Sequence, residues 1–253
     1  MNLFRQIVLV ASLAFLANAE DYGVDCSFPI HNVESSCGNL LGDRKAVYKE
    51  YMDGCRKKWG RKGAVRCDAS EKDRIEMSRR QPQSMVNYTS TGFKKMRAPP
   101  ALWKLISDYW QENKDNMQAE NWGTGNVYSN NWASPTYMVS VENRQLRGGG
   151  VSFKNQIWEA AGPTIEEWTG NKLKQTSLYG IRVYTEGAIL SPHVDRLPLV
   201  SSCIINVDQE NLEEDWVLEV YDRHDRAVNV TMKPGDMGTS FFYRFPDCSK
   251  NHF

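Results

Sequence analysis

The chain has 253 residues, with 31 Lys and Arg against 31 Asp and Glu and an apolar content of 41%. A neutral balance excludes the strongly basic surface that nucleic acids require, so no nucleic-acid partner is expected. The apolar fraction is ordinary for a globular protein, and the length fits one domain or two.

Residues 1–19 have the layout of a cleavable secretory signal. A basic start that includes Arg5 precedes an apolar run over 7–16, and the small residues Ala17 and Ala19 follow. The run is far shorter than the roughly 20 residues that span a bilayer, so we expect a signal peptide and not an anchor. The mature protein is therefore expected in the secretory pathway, in the ER lumen or outside the cell, with no membrane attachment after cleavage.

Residues 20–97 are expected to form a helical, cysteine-containing region. Helical spacing starts at a cap on Asp43 and continues to about Trp59, where glycines at 60 and 63 end it. A second helix is predicted over about 69–80, before a proline.

Four cysteines lie in this region, and in the oxidising environment beyond a signal peptide they are expected to form two disulfides. Their spacing leaves three pairings open and lacks the close cysteine pairs that are typical of zinc sites. These cysteines are Cys26, Cys37, Cys55 and Cys67. Glycosylation sequons begin at Asn87 and Asn229 and agree with secretion.

Residues 98–253 are predicted to form the main domain. Helical spacing indicates a helix from about Leu102 to Asn113 and a second around 157–168, with a break at Pro163. The segment 114–135, rich in Asn, Gly, Trp and Ser, is predicted to be a loop, with a lid over a site as one interpretation. A strand is expected over 137–141.

After Leu178 the pattern changes to short β-rich runs separated by turns. The runs cover 179–184, 199–207, 216–221, 227–232 and 240–245. Helices followed by many short strands predict an α+β fold, with a double-stranded β-helix (jelly-roll) core from about 136 onward and flanking helices.

His193 and Asp195 are the residues that point to chemistry. Two residues apart on a strand, an imidazole and a carboxylate lie on the same face, and together they can bind one metal ion. Alone, a His-x-Asp pair arises readily by chance and is more typical of a polar turn than of a metal site. Here it follows Pro192, and a Tyr184-x2-Gly187 turn precedes it.

This pattern, with the Lys-Pro-Gly-Asp turn at 233–236, resembles the iron(II)- and 2-oxoglutarate-dependent oxygenases, closest to the prolyl 4-hydroxylase alpha-subunit-like branch. The resemblance covers about 178–237. It implies iron(II), 2-oxoglutarate and ascorbate as cofactors and a peptidyl-proline substrate in a secretory protein. It also implies His193 and Asp195 as iron ligands and Tyr184 in the 2-oxoglutarate pocket.

The resemblance fails after the turn at 233–236. The family needs a second histidine ligand there and, further on, a Lys or Arg that pairs with the distal carboxylate of 2-oxoglutarate. His252 is the one candidate ligand, its neighbours match no family pattern, and no Lys or Arg follows it. We therefore expect the oxygenase-like domain to be incomplete at its C-terminus, through truncation or mis-splicing. The alternative is a catalytically inactive secreted binding or structural protein derived from this fold. The sequence leaves the oligomeric state open.

Overall fold

A computed structural model describes residues 45–86, 88–215, 217–222 and 227–241. Its α-helices are α1 (Lys45–Arg80), α2 (Pro100–Asn113) and α3 (Val151–Thr169), with short 3-10 turns at Pro82–Ser84 and Lys114–Asn116. Its strands are β1 (Phe93–Arg97), β2 (Gln118–Ala119), β3 (Thr136–Ser140), β4 (Gly180–Tyr184), β5 (Ser201–Ile205), β6 (Val217–Tyr221), β7 (Ala227–Thr231) and β8 (Asp236–Phe241). The described part is therefore α+β, with mixed helices and antiparallel sheets.

Helix α1 is a hairpin of two helical segments and not one straight rod. The backbone leaves helical geometry at Gly60, where φ is 62° and ψ is −168°. Cys55 and Cys67 form a disulfide across the bend, and their Cα atoms are 6.2 Å apart. A straight helix would separate them by about 18 Å. An added Cβ at Gly63 would lie 2.0 Å from the Trp59 Cβ, so the close approach requires a glycine.

The hairpin confirms part of what the sequence predicted for this region. The first helix ends at Gly60, and one disulfide pair is Cys55 with Cys67. The predicted start of the second helix near residue 69 was wrong, because helical structure resumes directly after Gly60. Residues 1–44, which hold the signal segment, Cys26 and Cys37, lie outside the described residues.

The strands pair in three antiparallel sheets. One has the order β1-β8-β5, a second β2-β3-β4, and the third is the β6-β7 hairpin. Strand β8 lies between partners that are distant in sequence, with Met96 opposite Met237 on one side and Ile205 opposite Met237 on the other. The strand predicted over 240–245 thus begins earlier, at Asp236, and 242–245 lie outside the described residues.

The largest apolar cluster lies between the two long helices of the main domain and the sheets. Leu102 and Tyr109 of α2 pack with Phe153 of α3, Val139 of β3 and Met237 of β8. Leu102, Val139 and Met237 are fully buried. This packing explains why the helical spacing predicted α2 correctly, since its apolar stripe faces the core.

The predicted break at Pro163 was wrong, since α3 continues through it. Proline removes the hydrogen bond to the carbonyl of residue 159. Pro163 and Glu159 are both exposed, so water can solvate the freed carbonyl on the outer side of the helix.

The β6-β7 hairpin lies against the sheet that contains β1 and β8. Val228, Val230 and Met232 form a buried cluster with Phe93 and Leu218 beside them. Two antiparallel sheets thus face each other through apolar side chains, and the helices cover other surfaces.

Among the described residues, no helix has both the length and the apolar character needed to cross a bilayer. The Cys55–Cys67 disulfide is typical of proteins outside the cytosol.

Candidate functional site

The candidate metal segment begins where β4 ends at Tyr184. A tight turn follows, in which the Ala188 N–H donates to the Thr185 carbonyl at 3.0 Å. Gly187 has a φ of 71°, and an added Cβ would lie 3.0 Å from Ser134 Oγ. This position therefore favours glycine, as the sequence predicted for the turn before the metal motif.

His193 and Asp195 lie in an extended segment without regular secondary structure, not in a strand. Their side chains nevertheless approach each other, with 3.9 Å between His193 Nε2 and Asp195 Oδ1. The histidine side chain is 26% exposed and the aspartate 36%. Both side chains are therefore partly buried.

The His193 ring is oriented by the backbone. Its Nδ1 lies 2.7 Å from the Ser191 carbonyl oxygen, so this nitrogen carries the proton and Nε2 keeps the lone pair that faces Asp195. The Tyr128 ring packs edge-on against the imidazole at 5.2 Å between centroids. Burial lowers the pKa of His193 despite the neighbouring Asp195 carboxylate. A neutral imidazole is the form that binds metals.

Asp195 is held at both its side chain and its backbone. Ser202 Oγ, at the start of β5, donates to Asp195 Oδ2 at 2.5 Å. The Gln81 side-chain amide donates to the Asp195 carbonyl. Since Oδ2 is occupied in this way, Oδ1 is the oxygen left to act as a monodentate ligand toward the histidine.

The geometry of the pair fits a shared divalent cation after a small adjustment. Two ligand atoms about 2.1 Å from one ion at a right angle are about 3 Å apart. The observed separation of 3.9 Å is larger, so binding one ion at a right angle would require the two atoms to move about 1 Å closer. The hydrogen bonds from His193 Nδ1 to the Ser191 carbonyl and from Ser202 Oγ to Asp195 Oδ2 correspond to the outer supports that metal ligands ordinarily have.

Within the described ranges, no three His, Cys, Asp or Glu side chains come together as metal ligands. His193 is also the only histidine in those ranges. His252, the candidate third ligand, lies outside them, so the described site consists of one imidazole and one carboxylate.

Tyr184, predicted to line the 2-oxoglutarate pocket, lies in a polar cluster with Arg182 and Glu120. Burial raises its hydroxyl pKa, and Arg182, two residues earlier on the same strand face, is its hydrogen-bond partner. Arg182 forms two hydrogen bonds with Glu120, at 2.7 and 2.9 Å, and stacks over Trp122. The charge of Arg182 also contributes to lowering the pKa of His193.

The sequence interpretation missed Arg182 and Glu120. The available signal was the strand period, which places Arg182 on the same face as Tyr184. Glu120 comes from the loop before β3, and sequence spacing contains no information that pairs it with β4.

The predicted loop over 114–135 packs beside the metal segment. Tyr128 contacts the His193 ring, and Trp132 packs against Tyr51 of α1 with 4.9 Å between ring centroids. The Ser191 N–H donates to the Tyr128 carbonyl at 2.9 Å. The loop therefore forms one wall of the site.

A buried group on α1 also reaches the metal segment, and sequence reasoning missed it. Arg74 is 1% exposed, pairs with Glu71, and donates from Nη1 to the Pro192 carbonyl at 2.5 Å. The Tyr51 hydroxyl lies 2.8 Å from Ser191 Oγ.

The structure describes the asparagine of one of the two glycosylation sequons. Asn229 lies half-buried in β7, and its side-chain oxygen has no hydrogen-bond partner in the part of the chain that is described. Asn87 lies outside the described residues. Glycosylation at these positions stays a prediction.

Comparison of the chain with known protein families, with curated proteins and with solved structures found no match. The functional assignment therefore depends on the residues of the site and their geometry.

Proposed function

We propose that this chain has the site of an iron(II)- and 2-oxoglutarate-dependent dioxygenase of the prolyl 4-hydroxylase-like kind. The observation that supports it is the approach of His193 Nε2 to Asp195 Oδ1, 3.9 Å apart. Each side chain is oriented by a separate hydrogen bond. Ser202 Oγ donates to Asp195, and His193 Nδ1 donates to the Ser191 carbonyl.

The corresponding fold proposal is a double-stranded β-helix core. Its support is the pairing of β8 between β1 and β5, with the β6-β7 hairpin packed opposite. The metal segment joins β4 to β5, so it lies where strands of two sheets end. In jelly-roll proteins two such sheets enclose the core.

Each side chain of the site has a role in this proposal. His193 and Asp195 hold the iron, with His252 as the candidate third ligand. In this proposal the Tyr184 hydroxyl and its hydrogen-bond partner Arg182 would hydrogen-bond a carboxylate of 2-oxoglutarate. With dioxygen as the oxidant, bound iron(II) and 2-oxoglutarate would supply hydroxylation of a substrate C–H bond, with one oxygen atom entering the substrate and the other entering succinate as 2-oxoglutarate loses carbon dioxide. Ascorbate would keep the iron reduced.

The proposed substrate is a peptidyl proline in a protein of the secretory pathway. The signal layout of residues 1–19 and the Cys55–Cys67 disulfide support this compartment. The wall formed by 114–135, which carries Trp122, Tyr128 and Trp132, is the surface on which a peptide would lie.

One observation favours a second candidate, an inactive binding or structural protein with the same fold. In the described ranges the site has two ligands, and the Arg182 charge is already compensated by Glu120. A site with fewer imidazole ligands binds iron(II) more weakly, and a compensated arginine attracts a second carboxylate less strongly.

The test is succinate release from 2-oxoglutarate with iron(II), ascorbate and a proline-rich peptide, read together with the 16 Da gain of the peptide that hydroxylation produces. Dioxygenase activity should be lost in His193→Ala and retained in Glu186→Gln, an exposed residue of the same segment. Metal binding that needs His193, without succinate release, would support the inactive candidate. Metal binding that is indifferent to His193 would contradict the proposed site.

A further inference from the structure

Within the metal segment that joins β4 to β5, residues 191–195 are supported by helix α1. At their start these residues are held by a backbone hydrogen bond from the Ser191 N–H to the Tyr128 carbonyl, next to the Ser129–Leu190 bridge, and residues 192–195 have no regular secondary structure. Assuming the proposed metal site, we infer that Arg74 is a positioning residue, and that the disulfide-closed hairpin α1 holds His193 and Asp195 in register through it.

Three hydrogen-bond contacts from α1 and the residue after it reach the backbone or side chains on both sides of His193. Arg74 Nη1 donates to the carbonyl of Pro192 at 2.5 Å. The Tyr51 hydroxyl lies 2.8 Å from Ser191 Oγ. The Gln81 amide donates to the Asp195 carbonyl. The histidine is thus bracketed by contacts at the two preceding residues and at the second residue after it.

Arginine suits this position because one guanidinium can serve two partners. Its Nε and Nη2 donate to the two Glu71 carboxylate oxygens at 2.8 and 2.7 Å, while Nη1 reaches Pro192. The Glu71 carboxylate compensates the buried charge and also accepts the Tyr48 hydroxyl at 2.7 Å. A lysine ammonium cannot reproduce this planar fork.

The same helix face carries the disulfide and the supporting residues. Cys67, Glu71, Arg74 and Ser78 are all buried, at spacings of four, three and four residues. This is one stripe of a helix. The Cys55–Cys67 bond joins that stripe to the first half of the hairpin, which presents Tyr51 to Ser191. Both halves of α1 therefore act on the metal segment together.

The experiment uses the full chain with Co²⁺ as the probe. Binding is followed by the visible absorbance of Co²⁺ and by the paramagnetically shifted ring N–H proton of a coordinated histidine. The main variant is Glu71→Gln with Arg74→Met, because removing both partners avoids a buried unpaired charge. The matched control is Arg56→Met, which loses ion pairs with Asp53 and Asp68 on the same hairpin.

The double variant should bind Co²⁺ about 10- to 100-fold more weakly, the usual effect of removing an outer support, and should broaden the shifted histidine signal. Arg74→Lys should recover only part of the affinity. The control should bind like the unaltered chain. Unchanged affinity in a folded double variant would overturn the inference.

Two further variants keep the result decisive. If the double variant does not fold, Gln81→Met removes one uncharged hydrogen bond and should still weaken Co²⁺ binding by up to about tenfold; unchanged binding would refute the positioning role. His193→Ala tests the proposed site separately. If it leaves Co²⁺ binding intact, the proposed function fails. If it abolishes binding while the α1 variants bind normally, only the positioning role fails.

Discussion

Removal of the Cys55–Cys67 cross-link by substituting both residues with alanine should destabilise the protein substantially. The bond closes a loop with a sequence separation of 12. For a loop of this size, the lost restriction of the unfolded chain is worth about 3 kcal/mol. Both cysteines are fully buried, so the lost sulfur atoms add a cavity cost.

Guanidinium unfolding measures the effect and separates its two parts. For a chain of this size the slope is on the order of 4 kcal/mol per molar, so the cross-link alone should shift the midpoint by about 0.7 M. Each protein is measured with and without dithiothreitol. The reductant opens the cross-link in the unaltered chain. The difference in unfolding free energy between the unaltered chain and the alanine variant should therefore shrink by about 3 kcal/mol, and the remaining difference should be the cavity cost.

This reasoning would be refuted if the difference in unfolding free energy between the unaltered chain and the alanine variant were the same with and without reductant. That result would mean that the unfolded chain keeps the two halves of α1 together without the bond. Any effect of reductant on cysteines other than Cys55 and Cys67 occurs in both proteins and cancels. A Cys203→Ala variant controls for the loss of a sulfur atom from the free cysteine in β5.

Three further predictions follow from individual residues. Tyr184→Phe should raise the 2-oxoglutarate concentration needed for half-maximal succinate release by about three- to tenfold, since one hydrogen bond is lost; an unchanged value would exclude Tyr184 from the pocket. Burial would raise the pKa of the Asp236 carboxyl, but the Lys233 N–H and the Arg97 guanidinium hold it below its usual value. Its stabilising effect is thus complete above about pH 4 and is lost as the pH falls through the folded-state pKa. The difference in Tm between the unaltered chain and Asp236→Asn should therefore shrink below about pH 4, and a constant difference would contradict it. Burial raises the pKa of the Cys203 thiol to about 12, so iodoacetamide at pH 8 should label Cys203 much more slowly in the folded protein than after unfolding, as mass spectrometry of digested protein would show. Equally rapid labelling of the folded protein would contradict this.

Local sequence patterns were enough to predict several elements. The apolar spacing of α2 and the strand periods of β3 and β4 appear in the structure at nearly the predicted bounds. The turn at 233–236 is present, with the Asp236 N–H donating to the Lys233 carbonyl at 2.8 Å. These features depend on interactions among residues close in sequence, and therefore leave a pattern in the sequence.

The sequence also placed His193 and Asp195 together, because a spacing of two residues brings side chains to one face of an extended chain. It predicted this arrangement on a strand, and the structure has no strand there. The two pairing partners of β8 could not be read from the sequence, since β1 and β5 both lie well before β8 in the chain, at very different distances.

What the sequence by itself determined was the set of chemical groups: the imidazole and carboxylate, the Tyr-x2-Gly turn, and cysteines suited to a cross-link. The tertiary structure alone decided which groups support them. Arg74 and Pro192 are 118 residues apart, and Glu120 and Arg182 are 62 apart. No periodicity connects such positions, because these contacts depend on where the bend at Gly60 and the sheets place each helix face.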